Sequence, residues 1–236
     1  MKQLHPLQLR ILKKLLFAQD LRFSELKPRR NVENNLFVFH LDKLIKAGYI
    51  GKKDSKYLLT DKGKEFANRI DTDRLFIELQ SKLSAWICCT RIKNRSKQYL
   101  IYTRLKQPFY SCQGFMSGKV RFGEKVIGAA KRELKEETGL EGNPKVISIK
   151  HYLVFDKLTK DLLEDKFMFL CLVENPKGKL KANKEGKFEW VDEGSLESYV
   201  TNHFESYSVF KKQIEEIKSF NGWSSFEEIV HFSVKF

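Results

Sequence analysis

The sequence predicts an α+β fold, in which a small domain of helices and one hairpin precedes a larger domain of mixed strands and helices. In residues 1–72 the apolar residues follow the order helix, helix, helix, hairpin, helix. From residue 84 onward, β-like apolar runs are interspersed with two amphipathic helical patterns. The length of 236 residues suits two small domains better than one. We therefore expect domains at 1–72 and 84–236, joined by a connector at 73–83.

The composition is that of a globular protein with unevenly distributed charge. Hydrophobic residues make up 42% of the chain and charged residues 31%. The formal net charge is +14, and residues 1–70 hold 16 Lys and Arg against 7 Asp and Glu. Such a basic domain favours a polyanionic partner. No apolar run approaches the roughly 20 residues that span a bilayer, and the N-terminus lacks a signal-peptide core. We therefore expect a cytoplasmic protein with no membrane partner.

Apolar spacing predicts each element of the first domain. Helices are expected over 5–18, around 23–26 and over 32–47, where Gly48 should end the third helix. Short strands at 49–50 and 57–60 flank a polar turn, and 61–70 is again helical. The side of the third helix expected to be buried carries Leu36, His40 or Leu41, Leu44 and Ile45.

This order of elements resembles a winged helix-turn-helix domain. Residues 39–50, FHLDKLIKAGYI, are similar to the end of a recognition helix and the entry to the wing, and 57–63, YLLTDKG, to the strand that leaves it. The resemblance implies DNA contacts. The start of the third helix would face a major groove and the wing lysines would contact phosphates, through Asn31, Glu33, Asn34 and Asn35, and Lys52, Lys53 and Lys56. Against tight DNA reading, 36–39 are bulky and apolar, and could instead pack against the second domain or another copy of the chain.

Strands and helices alternate in the second domain. β-like runs lie at 85–89, 98–103, 145–155 and 166–174, and helical patterns at 124–138 and 204–218. The four cysteines form no Cys-x-x-Cys pair and have no histidine at zinc-ligand spacing. We therefore expect reduced thiols in the core, at Cys88, Cys89, Cys112 and Cys171.

An acidic cluster marks the helix over 124–138. Glu133, Glu136 and Glu137 are spaced i, i+3 and i+4, so their carboxylates project from one face and repel one another. Arg132 and Lys135 cannot neutralise the whole cluster. Mg²⁺ prefers oxygen ligands and bridges such carboxylates to phosphates. On the same helix, Glu124 is expected at the first turn, near the positive end of the dipole, and the apolar side carries Ala129, Ala130 and Leu134.

This segment resembles the Nudix box, Gly-x5-Glu-x7-Arg-Glu-aliphatic-x-Glu-Glu-x-Gly-aliphatic. Residues 118–140 match it at every defined position, namely Gly118, Glu124, Arg132, Glu133, Leu134, Glu136, Glu137, Gly139 and Leu140. The resemblance implies a Nudix α/β/α sandwich with a mixed sheet. It also implies Mg²⁺ or Mn²⁺ bound by Glu133, Glu136, Glu137 and Glu124, with Arg132 orienting the carboxylates and one glutamate acting as base.

Residues outside the helix complete the expected site. Arg104 and Lys119 are placed to meet phosphate charge, and the backbone near Ser117 and Gly118 could offer a carbonyl ligand. Some members of the family recruit a further glutamate from a distant loop, which 184–190 resemble. Glu185 is therefore the candidate extra ligand or base and Glu189 the second choice, against the alternative of an ordinary exposed loop residue.

Two functions follow as hypotheses. The first is a magnesium-dependent Nudix pyrophosphohydrolase cleaving the diphosphate of ADP-ribose, another sugar nucleotide, a dinucleotide or an oxidised nucleoside triphosphate. The second is a winged-helix transcriptional regulator whose Nudix domain senses a nucleotide. The intact box favours catalysis and the basic first domain favours DNA contact. A homodimer is left open, as is substrate contact by Phe109, Tyr110 and the loop at 156–165.

Overall fold

A computed structural model describes residues 4–28, 32–181 and 183–235. Contacts divide the chain into two compact units, Met1–Leu79 and Gln80–Phe236. The segment expected as a connector is divided between them. Phe76–Ile77 pairs with Ile70–Asp71 inside the first unit, and Lys82 begins the first strand of the second.

The first unit contains four helices and five short strands in its described part. The helices are α1 (Pro6–Leu16), α2 (Phe23–Leu26), α3 (Asn34–Lys46) and α4 (Asp61–Ala67), and the strands are β1 (Leu21–Arg22), β2 (Ile50–Lys53), β3 (Lys56–Leu59), β4 (Ile70–Asp71) and β5 (Phe76–Ile77). β3 pairs antiparallel with β1 and β2. The order of helices and hairpin matches the expected order, and the assignment as a winged helix-turn-helix domain stays a prediction.

Local signals explain where these elements begin and turn. The His5 side chain accepts a hydrogen bond from the Leu7 backbone N–H at the start of α1, and the Thr60 hydroxyl accepts one from Gly63 at the start of α4. Asp54 and Ser55 form the tip of the β2–β3 hairpin with φ of 47° and 61°, a left-handed conformation that short polar side chains tolerate.

The buried side of α3 differs from the expected one. Phe37, rather than Leu36, fills the core, with its ring 5.2 Å from that of Phe23, and Leu36 is 45% exposed. The shift of one residue arises because four apolar residues follow one another, so spacing alone does not select which of them faces inward. Asn31, expected at the start of this helix, lies outside the described residues.

The second unit is an α/β/α sandwich. Its strands are β6 (Lys82–Lys93), β7 (Ser96–Arg104), β8 (Gln113–Gly114), β9 (Met116–Lys119), β10 (Leu140–Glu141), β11 (Lys145–Asp156), β12 (Leu162–Glu174), β13 (Lys177–Gly178), β14 (Gly186–Asp192) and β15 (Ser225–Ser233). Its helices are α5 (Val126–Thr138), α6 (Leu196–Tyr199), preceded by a 3-10 turn (Glu193–Ser195), and α7 (Tyr207–Ser219). The expected α+β class is confirmed.

The main sheet is mixed, with the strand order β14, β7, β6, β12, β11, β15. β12 runs parallel to β6, and β15 runs parallel to β11, whereas β11–β12, β6–β7 and β7–β14 are antiparallel. The short strands β8 and β9 pair with β7 and β6. Neither β14 nor β15 was expected as a strand.

Successive side chains of β6 point to opposite faces of the sheet, so this strand contributes core residues to both sides of the sandwich. Ala85 and Ile87 pack with Leu134 of α5, and Trp86 packs with Phe210 of α7. The four cysteines are buried and free, as expected. In the described ranges, no helix has the length and apolar character of a membrane-spanning segment.

Leu134 is fully buried where α5 meets the sheet. We expect Leu134→Ala to lower the free energy of unfolding of this unit by about 2–5 kcal/mol, because the truncation leaves a cavity. All three tryptophans lie in the second unit, so their fluorescence in urea reports its unfolding. Ile127→Ala is the matched control on an exposed side of the same helix and should change stability by no more than about 0.5 kcal/mol. Equal losses in the two variants would contradict the packing described for α5.

Candidate active site

The helix that carries the acidic cluster begins two residues later than expected. α5 starts at Val126, so Glu124 lies before the helix and not in its first turn. Its carboxylate instead accepts the Arg121 backbone N–H at 3.0 Å and two bonds from the Arg132 guanidinium, at 2.8 and 2.9 Å. These bonds, those of Arg132 first, lower the pKa of Glu124 to about 2. The paired guanidinium holds the carboxylate more strongly than the helix dipole alone would.

Arg132 connects the acidic residues of this site. Besides Glu124, its guanidinium donates to Glu133 Oε1 at 2.6 Å, to Glu136 Oε2 at 3.1 Å and to the Lys119 backbone oxygen at 3.0 Å. The hydrogen bonds that Arg132 donates to these carboxylates, first of all to Glu124, raise the pKa of Arg132, so the guanidinium stays charged. One side chain therefore orients three carboxylates and ties α5 to β9.

Glu137 is left outside this network. Its side chain makes no hydrogen bond with any residue in the described ranges, and it lines the same cavity as Glu133 and Glu136. Burial, and then the nearby charge of Glu133, raise the pKa of Glu137 to about 7. Arg104 and Lys106 act in the opposite direction. The site thus holds a desolvated carboxylate whose charge is incompletely compensated.

Gly118 gives Glu133 the space that it occupies. A Cβ added at Gly118 would lie 2.1 Å from both Cγ and Cδ of Glu133, much closer than any real contact. The glycine of β9 therefore lets the Glu133 side chain lie directly against the strand. Ser117, the preceding residue, is exposed and lines the same cavity.

Basic side chains line the same cavity as the acidic cluster, and this cavity has a volume of about 1010 Å³. The expected phosphate-binding residues Arg104 and Lys119 line it, together with Lys106 and Arg121, which sequence reasoning missed. Arg104 donates to the backbone oxygens of Pro108 at 2.5 Å and Gln107 at 3.2 Å, so it also holds the loop that follows β7. The position of Lys106 just after the β-like run ending at residue 103 was the available signal.

Glu185 reaches the cavity from the loop before β14. Asn183 shapes this loop, because its side-chain oxygen accepts the backbone N–H groups of Glu185 and Gly186 at 2.8 and 2.9 Å. The Asn183 amide also donates to the Glu137 backbone oxygen at 2.8 Å, which ties the loop to α5. The Glu185 carboxylate pairs with Lys106. The second choice, Glu189, lies within β14 and does not line the cavity.

The residues suit a divalent cation in chemistry and charge, although they do not form a ready-made ligand cluster. Among the residues that the structure describes, no three His, Cys, Asp or Glu side chains are grouped to hold a metal ion. Two of the three carboxylates of α5 are hydrogen-bonded to Arg132, and Glu137 is not. The cluster offers only hard oxygen donors, and the partly buried carboxylate of Glu137 lies near that of Glu133, which favours Mg²⁺ or Mn²⁺.

The residues expected to contact DNA lie on the first unit. Asn34 and Asn35 are exposed in the first turn of α3, and Lys52 and Lys53 are exposed at the end of β2. Lys56 is half-buried and pairs with Asp20 at 2.8 Å. The Lys27 ammonium donates to the Asn34 side-chain oxygen. Exposed apolar residues accompany them on α3, namely Leu36, Val38 and Phe39.

Comparison with known proteins places the second unit in a family. Residues 82–213 match the model of the NUDIX domain. The chain is 28% identical over 142 residues to a protein of Methanocaldococcus jannaschii named ADP-ribose pyrophosphatase, and the match covers 60% of this chain and 82% of that protein.

Two solved structures share the fold. One is a MutT protein from Bacillus halodurans, with 16% identity, a TM-score of 0.50, and coverage of 66% of this chain and 93% of that one. The other is the NUDIX domain of Shewanella oneidensis NrtR complexed with ADP ribose, with 12% identity, a TM-score of 0.50, and coverage of 67% and 99%. Because the NUDIX match covers more than half of the chain, this protein belongs to the Nudix family, the hydrolases that act on phosphorus-containing acid anhydrides.

Proposed function

We propose that the protein is a Mg²⁺- or Mn²⁺-dependent pyrophosphohydrolase that cleaves the diphosphate linkage of ADP-ribose or a closely similar nucleoside diphosphate sugar. One observation carries the reaction class: Glu133, Glu136 and Glu137 line one cavity together with Arg104, Lys106, Lys119 and Arg121. The relative from Methanocaldococcus jannaschii, named as an ADP-ribose pyrophosphatase, supports the substrate class.

The basic residues suit the binding of two adjacent phosphates. Lys119 ends β9, the strand against which Glu133 lies, and Arg121 follows it. Arg104 ends β7, and Lys106 follows it. Cationic side chains on separate segments can contact phosphate oxygens from different directions and fix the orientation of the diphosphate. Their positive charge also offsets negative charge that develops on phosphate oxygens during bond cleavage.

The carboxylates of α5 would hold the divalent cation. Glu133, Glu136 and Glu137 are the proposed ligands. Both oxygens of Glu124, expected as a further ligand, already accept bonds from Arg132, so we propose that Glu124 positions Arg132 instead. The chemistry that Mg²⁺ would supply there is neutralisation of phosphate charge and easier deprotonation of the attacking water.

Hydrolysis requires a water, a proton acceptor and a leaving group. A water oxygen adds to one phosphorus, and the bond from that phosphorus to the bridging oxygen breaks, which converts ADP-ribose and water to AMP and ribose 5-phosphate. The carboxylate of Glu137 or of Glu185 would take the proton from the attacking water. Both side chains line the cavity, and Asn183 holds the two segments together.

With ADP-ribose and Mg²⁺, we expect equal amounts of AMP and ribose 5-phosphate, and no turnover after the metal is removed with EDTA until Mg²⁺ is restored. Glu137→Gln should lower kcat at least about 10²-fold, because it removes a charge needed for the cation or a proton acceptor. Glu141→Gln, at an exposed residue beyond the helix, is the control and should keep full activity. Full activity of the Glu137 variant would refute the assignment.

The same assay separates the two proton acceptors. If Glu185 takes the proton, Glu185→Gln should lower kcat by about 10²–10⁴-fold with little change in KM. If Glu185 only positions Lys106, the variant should chiefly change KM.

We expect Gly118→Ala to lower kcat strongly, because the new methyl group would displace the Glu133 side chain. Gly128→Ala is the matched control, since a Cβ there meets only Glu124 Cγ at 3.9 Å. That control should retain activity and gain up to about 1 kcal/mol of stability, because alanine favours a helix interior more than glycine does. Kinetics and urea unfolding of both variants test this, and unchanged kcat in Gly118→Ala would contradict the close packing of Glu133.

A second activity, duplex DNA binding by the first unit, is supported by the exposed Lys52 and Lys53 on a unit with a strongly positive charge balance. Replacing both lysines by glutamate should weaken binding of the full chain to DNA and reduce its salt dependence, as measured by fluorescence anisotropy. The charge-matched control replaces Lys177 and Lys179, exposed in the second unit. Absence of binding at low salt, or equal losses in both variants, would exclude this activity.

A further inference from the structure

The cavity extends beyond the acidic cluster to the other face of the sheet. Side chains from β11, β12 and α7 line this part, together with Trp86 of β6, whose ring packs on the α7 face. We call this part the α7 side of the cavity and define it by Trp86, Tyr152, Lys166, Glu205 and Gln213. None of these residues belongs to the acidic cluster or its basic partners.

Two buried polar side chains line the α7 side. Tyr152 is 3% exposed and Gln213 is 5% exposed. The Tyr152 hydroxyl lies beside the Glu205 carboxyl group, close enough for a hydrogen bond between them to affect the pKa of each. The Gln213 side chain, by contrast, makes no hydrogen bond within the described ranges. Buried polar groups are normally satisfied, because leaving them unpaired is costly.

Glu205 adds a third polar group, whose hydrogen-bonding capacity changes with its protonation. Burial raises the pKa of this carboxyl group, which therefore protonates more readily than an exposed glutamate. A protonated carboxyl group can donate as well as accept a hydrogen bond. Lys166 of β12 pairs with Glu164 at 2.8 Å. In the described part of the chain, Glu205 forms no salt bridge within 4.0 Å.

Aromatic rings bound the same space. The Trp86 ring lies 6.2 Å from Phe115 and 6.4 Å from Tyr152, in edge-to-face arrangements. Phe109, 8% exposed, also lines the cavity. Apolar walls with a few convergent polar groups favour a flat ligand that carries both donors and acceptors.

We propose that the α7 side of the cavity binds the nucleobase of the nucleotide substrate, with the Gln213 amide and the Tyr152 hydroxyl hydrogen-bonding to the edge of an adenine. A glutamine amide pairs bidentately with N6 and N7 of adenine, because it presents one donor and one acceptor side by side. Guanine presents O6 in place of the N6 amino group, so the same pairing fails. This inference rests on the proposed function for its choice of a nucleotide, and it assigns base selection to residues outside the Nudix box.

Adenosine tests this inference without phosphate, metal or turnover. Calorimetric titration of the full chain in EDTA should show adenosine binding and at least about tenfold weaker guanosine binding. Gln213→Leu should weaken adenosine binding about tenfold or more, and Tyr152→Phe about threefold or more, because each removes a buried hydrogen bond. Tyr99→Phe is the matched control, since Tyr99 carries a buried hydroxyl but does not line the cavity. It should bind adenosine as the unmodified protein does.

A second variant and a ligand without a base control for loss of folding and for binding outside the base site. Gln213→Glu keeps the size of the side chain but removes the amide donor, so it should also weaken adenosine binding if the leucine variant does not fold. Unchanged thermal unfolding of each variant shows that the fold is retained. Binding of ribose 5-phosphate should be the same in the Gln213 variants as in the unmodified protein, because that ligand has no base.

The outcomes distinguish this inference from the proposed function. Absence of adenosine binding up to millimolar concentration, or unchanged binding in both the Gln213 and Tyr152 variants, would overturn the base-binding assignment even if ADP-ribose is hydrolysed. Gln213-dependent binding of adenosine in a protein that hydrolyses no diphosphate would support the base site and overturn the proposed hydrolase activity alone.

Discussion

The site depends on the guanidinium of Arg132. Four carboxylates, those of Glu124, Glu133, Glu136 and Glu137, are held near the N-terminal loop and one face of α5, and Arg132 hydrogen-bonds to the first three. Two N–H groups of the planar guanidinium donate to Glu124, which fixes the position of that carboxylate and offsets its negative charge. Glu137 has no such bond, and its carboxylate lies partly buried beside that of Glu133. The divalent cation proposed for this site would offset the repulsion between these neighbouring carboxylates.

Close backbone approach brings the distant segments to this helix. Gly118 lets Glu133 lie against β9, and Asn183 connects the loop that carries Glu185 to the carbonyl at Glu137. Gly186 acts in the same way, because a Cβ there would lie 1.9 Å from the Tyr102 ring. Because glycine has no side chain at these two positions, the neighbouring segments pack closely enough for Glu133, Glu137 and Glu185 to line one cavity. The geometry of the site therefore depends on residues that carry no reactive group.

Sequence patterns predicted the α+β class and the acidic helix because both depend on local spacing. They placed Glu124 inside the helix, since a carboxylate at a helix start is favourable and the competing bond from Arg132, eight residues away, has no local signature. They selected Leu36 instead of Phe37 for the core, because in a run of four apolar residues the spacing does not show which side chain faces inward. Asn183 and Lys106 lie in loops, and Gln213 lies among polar residues of a helix; only the folded sheet brings all three to one cavity. The spacing of residues in the sequence does not show that these three side chains lie close together in the fold.

The strand β6 explains how one cavity can serve two chemical tasks. Ala85 and Ile87 face α5, whereas Trp86 between them faces α7, so consecutive residues contribute to opposite faces of the sheet. On the α5 side the cavity is dominated by charges, which suit a diphosphate and its cation but do not distinguish one base from another. On the α7 side it is lined by aromatic rings and by buried polar side chains, which suit the shape and the hydrogen-bonding edge of a nucleobase. Since the two sets of residues lie on different helices, substitutions on α7 can change the preferred base while Arg132 and its carboxylates keep their arrangement.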